Sequence, residues 1–319
     1  MILYISMAME NSKKLNLIGV ILLLTATIAW GTSFFILKST IEEVPTFYVL
    51  AIRFLTAAIG FGLIFIKKLK TLTLSAFLKG VTVGVFLTCA YVTQSLGLER
   101  TTPGRNAFLT SSYCVICPFL LWLLFKKKPK SYNVFAALCC IVGVGFVALS
   151  GDTGAGNNLL GDGLTLIGAL FYAFQIIFID KFQKDGLETA HLLFSEILTV
   201  GVSMLVLTLI FELPVNGISG YALNGEQLLK IGYLAFICTL FAQFAQTLGQ
   251  KFTSANQSSL ILSLESVFGV LFSVVFADEK LTLWLIIGFI IIFISMLISE
   301  LKFDPIKLLK RKKYDNTEE

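Results

Sequence analysis

Apolar runs of about twenty residues recur from one end of this chain to the other, separated by short polar breaks. A helical run of that length crosses a bilayer core of ~30 Å. A large soluble helical protein would need amphipathic helices with one wet face, and few are visible. Composition supports the same choice: 14% of residues are charged, against about 25% in soluble domains. The pattern predicts spans at 16–37, 46–66, 77–98, 104–125, 132–149, 160–180, 190–210, 229–249, 254–276 and 281–300. Loops are short except 211–228, which is polar and Gly-rich, so no soluble domain fits between spans. The first run continues to full span length without a small-residue cleavage site, which argues against a cleaved signal peptide. Residues 1–15 read as a short tail, with Met7 and Met9 as alternative initiators.

Charge placement orients the spans. With the N-terminus on one side, that side holds nineteen Lys and Arg residues, the other holds five, and only Arg53 lies well inside a span. The excess marks the cytoplasmic side, so both termini are expected there, in a cytoplasmic membrane. The alternation also requires an even number of spans.

Half of the chain repeats. Ala90–Val115 aligns without gaps on Ala242–Val267, and seven of the 26 positions are identical, among them Gln94/Gln246, Gly97/Gly249 and Ser111/Ser263. The first spans of each half agree more weakly, with Trp30-Gly31-x-Ser33 opposite Tyr172-Ala173-x-Gln175. Two units of five spans must thread the bilayer in opposite directions. The expected fold is therefore an all-α integral membrane protein: ten transmembrane helices in two inverted five-helix repeats. The first repeat covers 16–149 and the second 160–301, joined by an extracellular connector at 150–159 and followed by a basic cytoplasmic tail at 302–319. Such duplication is typical of secondary transporters, whose solute sites lie near mid-membrane at the repeat interface.

Polar groups inside spans are costly, so they should face an interior or a water-filled cavity. Residues three and four apart share a helix face. Span 4 carries Asn106, Thr110, Tyr113 and Cys117, and span 8 carries Thr239, Gln243, Gln246 and Gln250. Span 3 adds Tyr91 and Gln94, span 1 Trp30 and Ser33, span 6 Tyr172 and Gln175, and span 9 Ser258 and Glu265. These stripes either line one central pocket or glue helices together by hydrogen bonds. The aromatic members suit a planar or aliphatic solute, or a cation over a ring face. Glu265 lies about 11 residues into span 9, hence roughly 16 Å deep. It either takes up a proton or meets a cationic solute group, or it is a structural acid bonded to a neighbouring helix. Arg53 either snorkels to the interface or binds a solute carboxylate. Glu196 lies towards the opposite face, which argues against an ion pair between them. His191, the single histidine, falls near a helix end.

Trp30-Gly31-Thr32-Ser33 with Lys38, Arg53-Phe54, Leu96-Gly97-Leu98 before Thr101-Thr102, Leu264-Glu265-Ser266-Val267-Phe268 and Asp278-Glu279-Lys280-Leu281 occur in this order. Together they resemble the EamA-type branch of the drug/metabolite transporter superfamily, over about residues 15 to 301. The resemblance implies ten helices in two inverted repeats, and export or exchange of small metabolites, often amino acids. Where that family often has proline after the glutamate, this chain has Ser266, so the resemblance leaves a kink in span 9 open.

Other chemistries fit poorly. All six cysteines (Cys89, Cys114, Cys117, Cys139, Cys140 and Cys238) fall in apolar runs, away from the helix ends and loops that metal or disulfide use favours. The loop from Gly151 lacks the Gly-Lys-Ser/Thr of a phosphate-binding loop. An intramembrane protease would need a deep histidine, or two carboxylates at one depth, and Asp162 and Asp180 lie at opposite ends of span 6. The tail residues Lys307, Lys310, Arg311, Lys312 and Lys313 read as an anchor near anionic lipid, not as a nucleic-acid site. The expectation is a transporter without metal or cofactor, whose partners are a small-molecule solute and the bilayer. A membrane-embedded enzyme or a solute sensor is the alternative, and oligomeric state is left open.

Overall fold

The computed structural model of the chain describes the backbone of residues 2–149, 158–217 and 221–300, and the side chains of 14–147, 159–217 and 221–298. Most of the 150–159 connector and the basic tail at 302–319 lie outside the described residues. Eight described helices are long and apolar enough to cross a membrane: α1 (Lys14–Ile41), α2 (Thr46–Ile64), α3 (Leu74–Glu99), α4 (Pro103–Phe125), α6 (Leu159–Lys184), α7 (Thr189–Asn216), α8 (Gly225–Gln250) and α9 (Ala255–Phe276). Two further apolar helices are shorter, α5 (Ser131–Val147) and α10 (Leu283–Ile298). Large apolar side chains such as Ile59, Leu63, Leu138, Ile141 and Val275 are exposed on their outer faces. In water that surface would be an aggregation hazard, and against lipid it is the required one. This is a multi-pass membrane protein. The α1 backbone is helical from Ile2, so the tail read at 1–15 continues the first helix.

Helix starts follow local chemistry. The side chains of Thr73 and Asn224 cap α3 and α8, the latter in a reciprocal capping box with Gln227. Thr102 and Ser254 cap α4 and α9 in the same way. The α2 start lacks such a cap, because Pro45 precedes it. Instead the Glu212 carboxylate accepts from the Phe47 and Tyr48 backbone N–H groups, at 2.7 and 2.9 Å. To reach them α7 runs on through a π-helical stretch, Thr208–Glu212, to Asn216. The loop expected from 211 therefore begins later.

Two membrane helices are interrupted where the pattern reads as continuous. α4 breaks at Ser111–Ser112, and α9 breaks at Leu264. The kink that Ser266 in place of proline left open in span 9 is present. Ser266 Oγ and Ser111 Oγ both donate to the Ser263 carbonyl, at 2.7 and 3.1 Å. Val267 N–H, which would bond that carbonyl in a regular helix, bonds Leu264 O instead. Serine hydroxyls thus supply what proline supplies elsewhere.

In packing, α3 lies on α6 and α7, and α8 lies on α1 and α2, while α2 meets α7, α4 meets α9 and α5 meets α10. Three of these seams are made by facing glycines. A Cβ on Gly97 would stand 2.8 Å from Gly161 O, and one on Gly161 would stand 3.0 Å from Gly97 O. Gly19 and Gly249 are related in the same way at 2.9 Å each, as are Gly143 and Gly288. Close approach of this kind is what small residues allow between membrane helices. Gly249→Val is therefore expected to lower the apparent Tm in detergent strongly, because backbone on α1 cannot yield, at about 1–3 kcal/mol for overpacking. Gly145→Ala, where no atom lies within 4 Å, should be neutral or slightly stabilising. Thermal unfolding of the two variants side by side checks this.

Candidate functional site

Two large buried apolar clusters fill most of the bundle, one mainly of α4, α5, α6, α9 and α10, the other mainly of α2, α3 and α7, and a small third one joins Val83, Ile179 and Leu192. Trp30 and Tyr172 pack against both large clusters. Between the clusters lies a cavity with an empty volume of about 550 Å³, counting its mouth. Its polar wall brings together Trp30 and Ser33 of α1, Arg53 of α2, Tyr91 and Gln94 of α3, and Tyr113 of α4. Tyr172 and Gln175 of α6, Gln243 and Gln246 of α8, and Glu265 of α9 complete it. Phe34, Leu37, Leu87, Leu98, Ile176 and Leu262 supply the apolar surface.

Asn106, like Thr110, Cys117, Thr239, Gln250 and Ser258 of the stripes read from the sequence, is not on the wall. Its amide donates to Gln94 O at 3.2 Å and Thr165 Oγ1 at 2.7 Å, bracing α4 on α3 and α6. Gln250 does likewise, donating to Ile176 O. These two act as interhelical glue. His191 Nε2 lies 2.9 Å from Lys68 O, away from the cavity, at the end that carries Lys67 and Lys68.

Arg53 corrects one of its two readings. It does not snorkel: it is fully buried and turned inward. Nε donates to Thr239 Oγ1 at 2.5 Å, and Nη2 donates to Cys238 O at 3.2 Å and Tyr91 OH at 3.3 Å. The guanidinium also stands over the Tyr91 and Phe54 rings, 5.2 and 5.4 Å from their centres. The cause lies in α8, which adopts π-helical geometry over Phe236–Phe241. That widened turn frees the Cys238 carbonyl, which also accepts Trp30 Nε1 at 2.8 Å. Nothing in the sequence marks this turn.

Arg53 Nη1 has no hydrogen-bond partner, and neither has Gln243 Oε1. Among the described residues no carboxylate forms an ion pair with Arg53. Glu265 opens the second half of the interrupted α9, where the helix N-terminus favours negative charge. It is buried, and Tyr113, at the matching interruption of α4, faces its carboxyl group. Elsewhere the wall is satisfied internally: Tyr172 OH donates to Gln94 Oε1 at 2.7 Å, and Gln94 Nε2 to Thr110 Oγ1 at 3.0 Å. Tyr91 and Tyr113 present their rings to Tyr172, with centres 5.8 and 6.3 Å away. The enclosure thus offers a cationic donor, a carboxyl group, amides and aromatic faces. Among the described residues no group of His, Cys, Asp and Glu is arranged to hold a metal ion.

Comparison with known proteins gives one family. The model of the EamA-like transporter family matches twice, over residues 17–149 and 159–301. An uncharacterized transporter of Archaeoglobus fulgidus is 29% identical over 273 residues, 86% of this chain and 82% of its own length. The uncharacterized transporter YoaV of Bacillus subtilis is 20% identical over 297 residues, 90% of this chain and 98% of its own. A solved crystal structure shares the fold at a TM-score of 0.66 with 16% identity, covering 91% of this chain and 97% of that one. With both halves matched by one family model, this chain belongs to the EamA-like transporter family.

Proposed function

We propose that the protein is a secondary transporter of the cytoplasmic membrane, with both termini in the cytoplasm. It exports or exchanges a small metabolite by alternating access of two inverted five-helix repeats, α1–α5 and α6–α10. Counting α5 and α10 as spans gives ten. The duplication is supported by the double family match, and by features that recur at the same offsets in both halves. Gly19–Gly249 and Gly161–Gly97 are one seam made twice, and the interruptions at Ser112 and Leu264 lie 152 residues apart. The lysine and arginine asymmetry supports the orientation.

One observation carries the solute class. A buried guanidinium with an unused donor and a buried carboxyl group share one enclosed, partly aromatic wall. The charges of a small zwitterion such as an amino acid match these groups, with the carboxylate on Arg53 Nη1 and the ammonium group at Glu265. Ring faces and leucines then take the side chain. Counterflow in proteoliposomes, run over the twenty proteinogenic amino acids, tests this. Saturable flux of a subset is expected. Absence of flux for all of them refutes the amino-acid assignment, and product formation without flux would favour an enzyme.

A further inference from the structure

Glu196 of α7 is fully buried and does not line the cavity. Its Oε1 accepts the Gln175 side-chain amide at 2.7 Å, and its Oε2 has no partner. The burial comes from α3, whose Gly80 and Gly84 lay that helix directly on the α7 backbone. A Cβ on Gly84 would stand 2.8 Å from Glu196 O. No charge compensates the carboxyl group. Arg53 of α2 is turned to α8, and Lys68 of the short helix Ile66–Leu69 pairs with Glu188. His191, on the same helix, bonds the Lys68 carbonyl, while α3 brings glycines and α6 and α8 bring the amides of Gln175 and Gln246. Among the described residues no ion pair includes Glu196. A bare carboxylate in such a place costs several kcal/mol or more, and the neutral acid far less.

We propose that Glu196 is a proton-binding site, occupied in this conformation and controlled from the cavity through Gln175. Gln175 is the link because its amide nitrogen reaches both Glu196 Oε1 and Gln246 Oε1, the latter at 3.4 Å, while its oxygen accepts Gln246 Nε2 at 3.2 Å. Both glutamines line the cavity. A solute group that recruits the Gln175 amide deprives Glu196 of its one donor and keeps the proton on; this step rests on the transport reading above. When the cavity holds only water, the Gln175 amide stabilises the carboxylate form, so the proton leaves to water as hydronium at a lower pH than with solute bound. Proton and solute then bind cooperatively.

Infrared difference spectroscopy of the full-length protein in lipid tests this without any measurement of flux. At neutral pH, one carboxylic-acid C=O band of the wild type is expected to vanish in Glu196→Gln. It should persist in Glu265→Gln and shift in frequency in Glu196→Asp. Gln175→Leu removes the donor to the carboxylate. The Glu196 band should then survive to more alkaline pH by about one to two units, the worth of a hydrogen bond to a charged group. A Glu196→Gln spectrum superimposable on the wild type overturns the proposal. So does a band whose pH range is the same with and without Gln175. Both readouts stand even if no amino acid is carried, so a failed transport reading and a failed proton site give different results.

Discussion

Arg53→Ala is expected to reduce amino-acid flux by about a hundredfold or more, the effect of removing one partner of a desolvated charge contact at 2–5 kcal/mol. The loss should fall on solute affinity as well as rate, because Nη1 is the unused donor on the wall. Arg53→Lys should recover little, since an ammonium group cannot hold Thr239, Cys238 O and a solute carboxylate together as a planar fork does. Glu265→Gln should weaken binding of the solute's ammonium end by a comparable factor. The informative experiment is the double variant. If one zwitterion bridges both residues, Arg53→Ala with Glu265→Gln should cost much less than the two single losses added. Wild-type flux in Arg53→Ala would remove the assignment, and strict additivity would mean the two groups bind separate things. Melting curves on the same preparations separate lost binding from lost fold, because Arg53 also joins α2 to α8.

The largest effect on stability is expected at Asp162. Arg105 and Asp162 are both buried, and Arg105 donates to the carboxylate through Nε at 2.7 Å and through Nη2. The pair ties the start of α4 to the start of α6. Asp162→Ala removes the carboxylate that accepts from both Nε and Nη2 of the buried guanidinium and should cost about 3–5 kcal/mol, whereas replacing both members by apolar residues of similar volume should restore most of it. The second half of the chain provides the control. Gln257 stands where Arg105 stands in the first half, and it exchanges amide bonds with Asn16 at 3.1 and 3.3 Å. Those groups are only partly buried and uncharged, so Asn16→Ala should cost about 0.5–1.5 kcal/mol. Apparent Tm values for the three variants check the contrast, and equal losses at Asp162 and Asn16 would contradict it. At the same end the Glu279 carboxylate accepts from Thr102, Gly104 N–H and Ser273, which adds to the difference between the two ends.

What could be read from the sequence was whatever polarity alone decides. A glutamine or tyrosine in an apolar helix has few places to go, so Gln94, Gln175, Gln243, Gln246 and the three cavity tyrosines could be singled out by spacing. Asn106 shows the limit of that argument. It lies on the same stripe as Tyr113, but the break at Ser111–Ser112 turns the two halves of α4 differently. Its amide therefore goes to Gln94 O and Thr165 rather than to the cavity. The inward turn of Arg53 was equally hidden, because it depends on a carbonyl freed by the π-helical turn of a helix 185 residues away. The break in α9 depends on a hydroxyl from α4. Propensity is local, and these features are set by a neighbouring helix.

The glycine seams have a mechanical consequence. Where α1 meets α8 and α3 meets α6, backbone lies against backbone at the facing glycines, with the side chains of Leu23, Thr165 and Arg100 packed beside them. Such a join presents less side-chain bulk to displace than an interdigitated one, and the facing glycines set the register of closest approach. Under the alternating-access reading proposed above, these joins would be the bearing surfaces on which the molecule opens and closes.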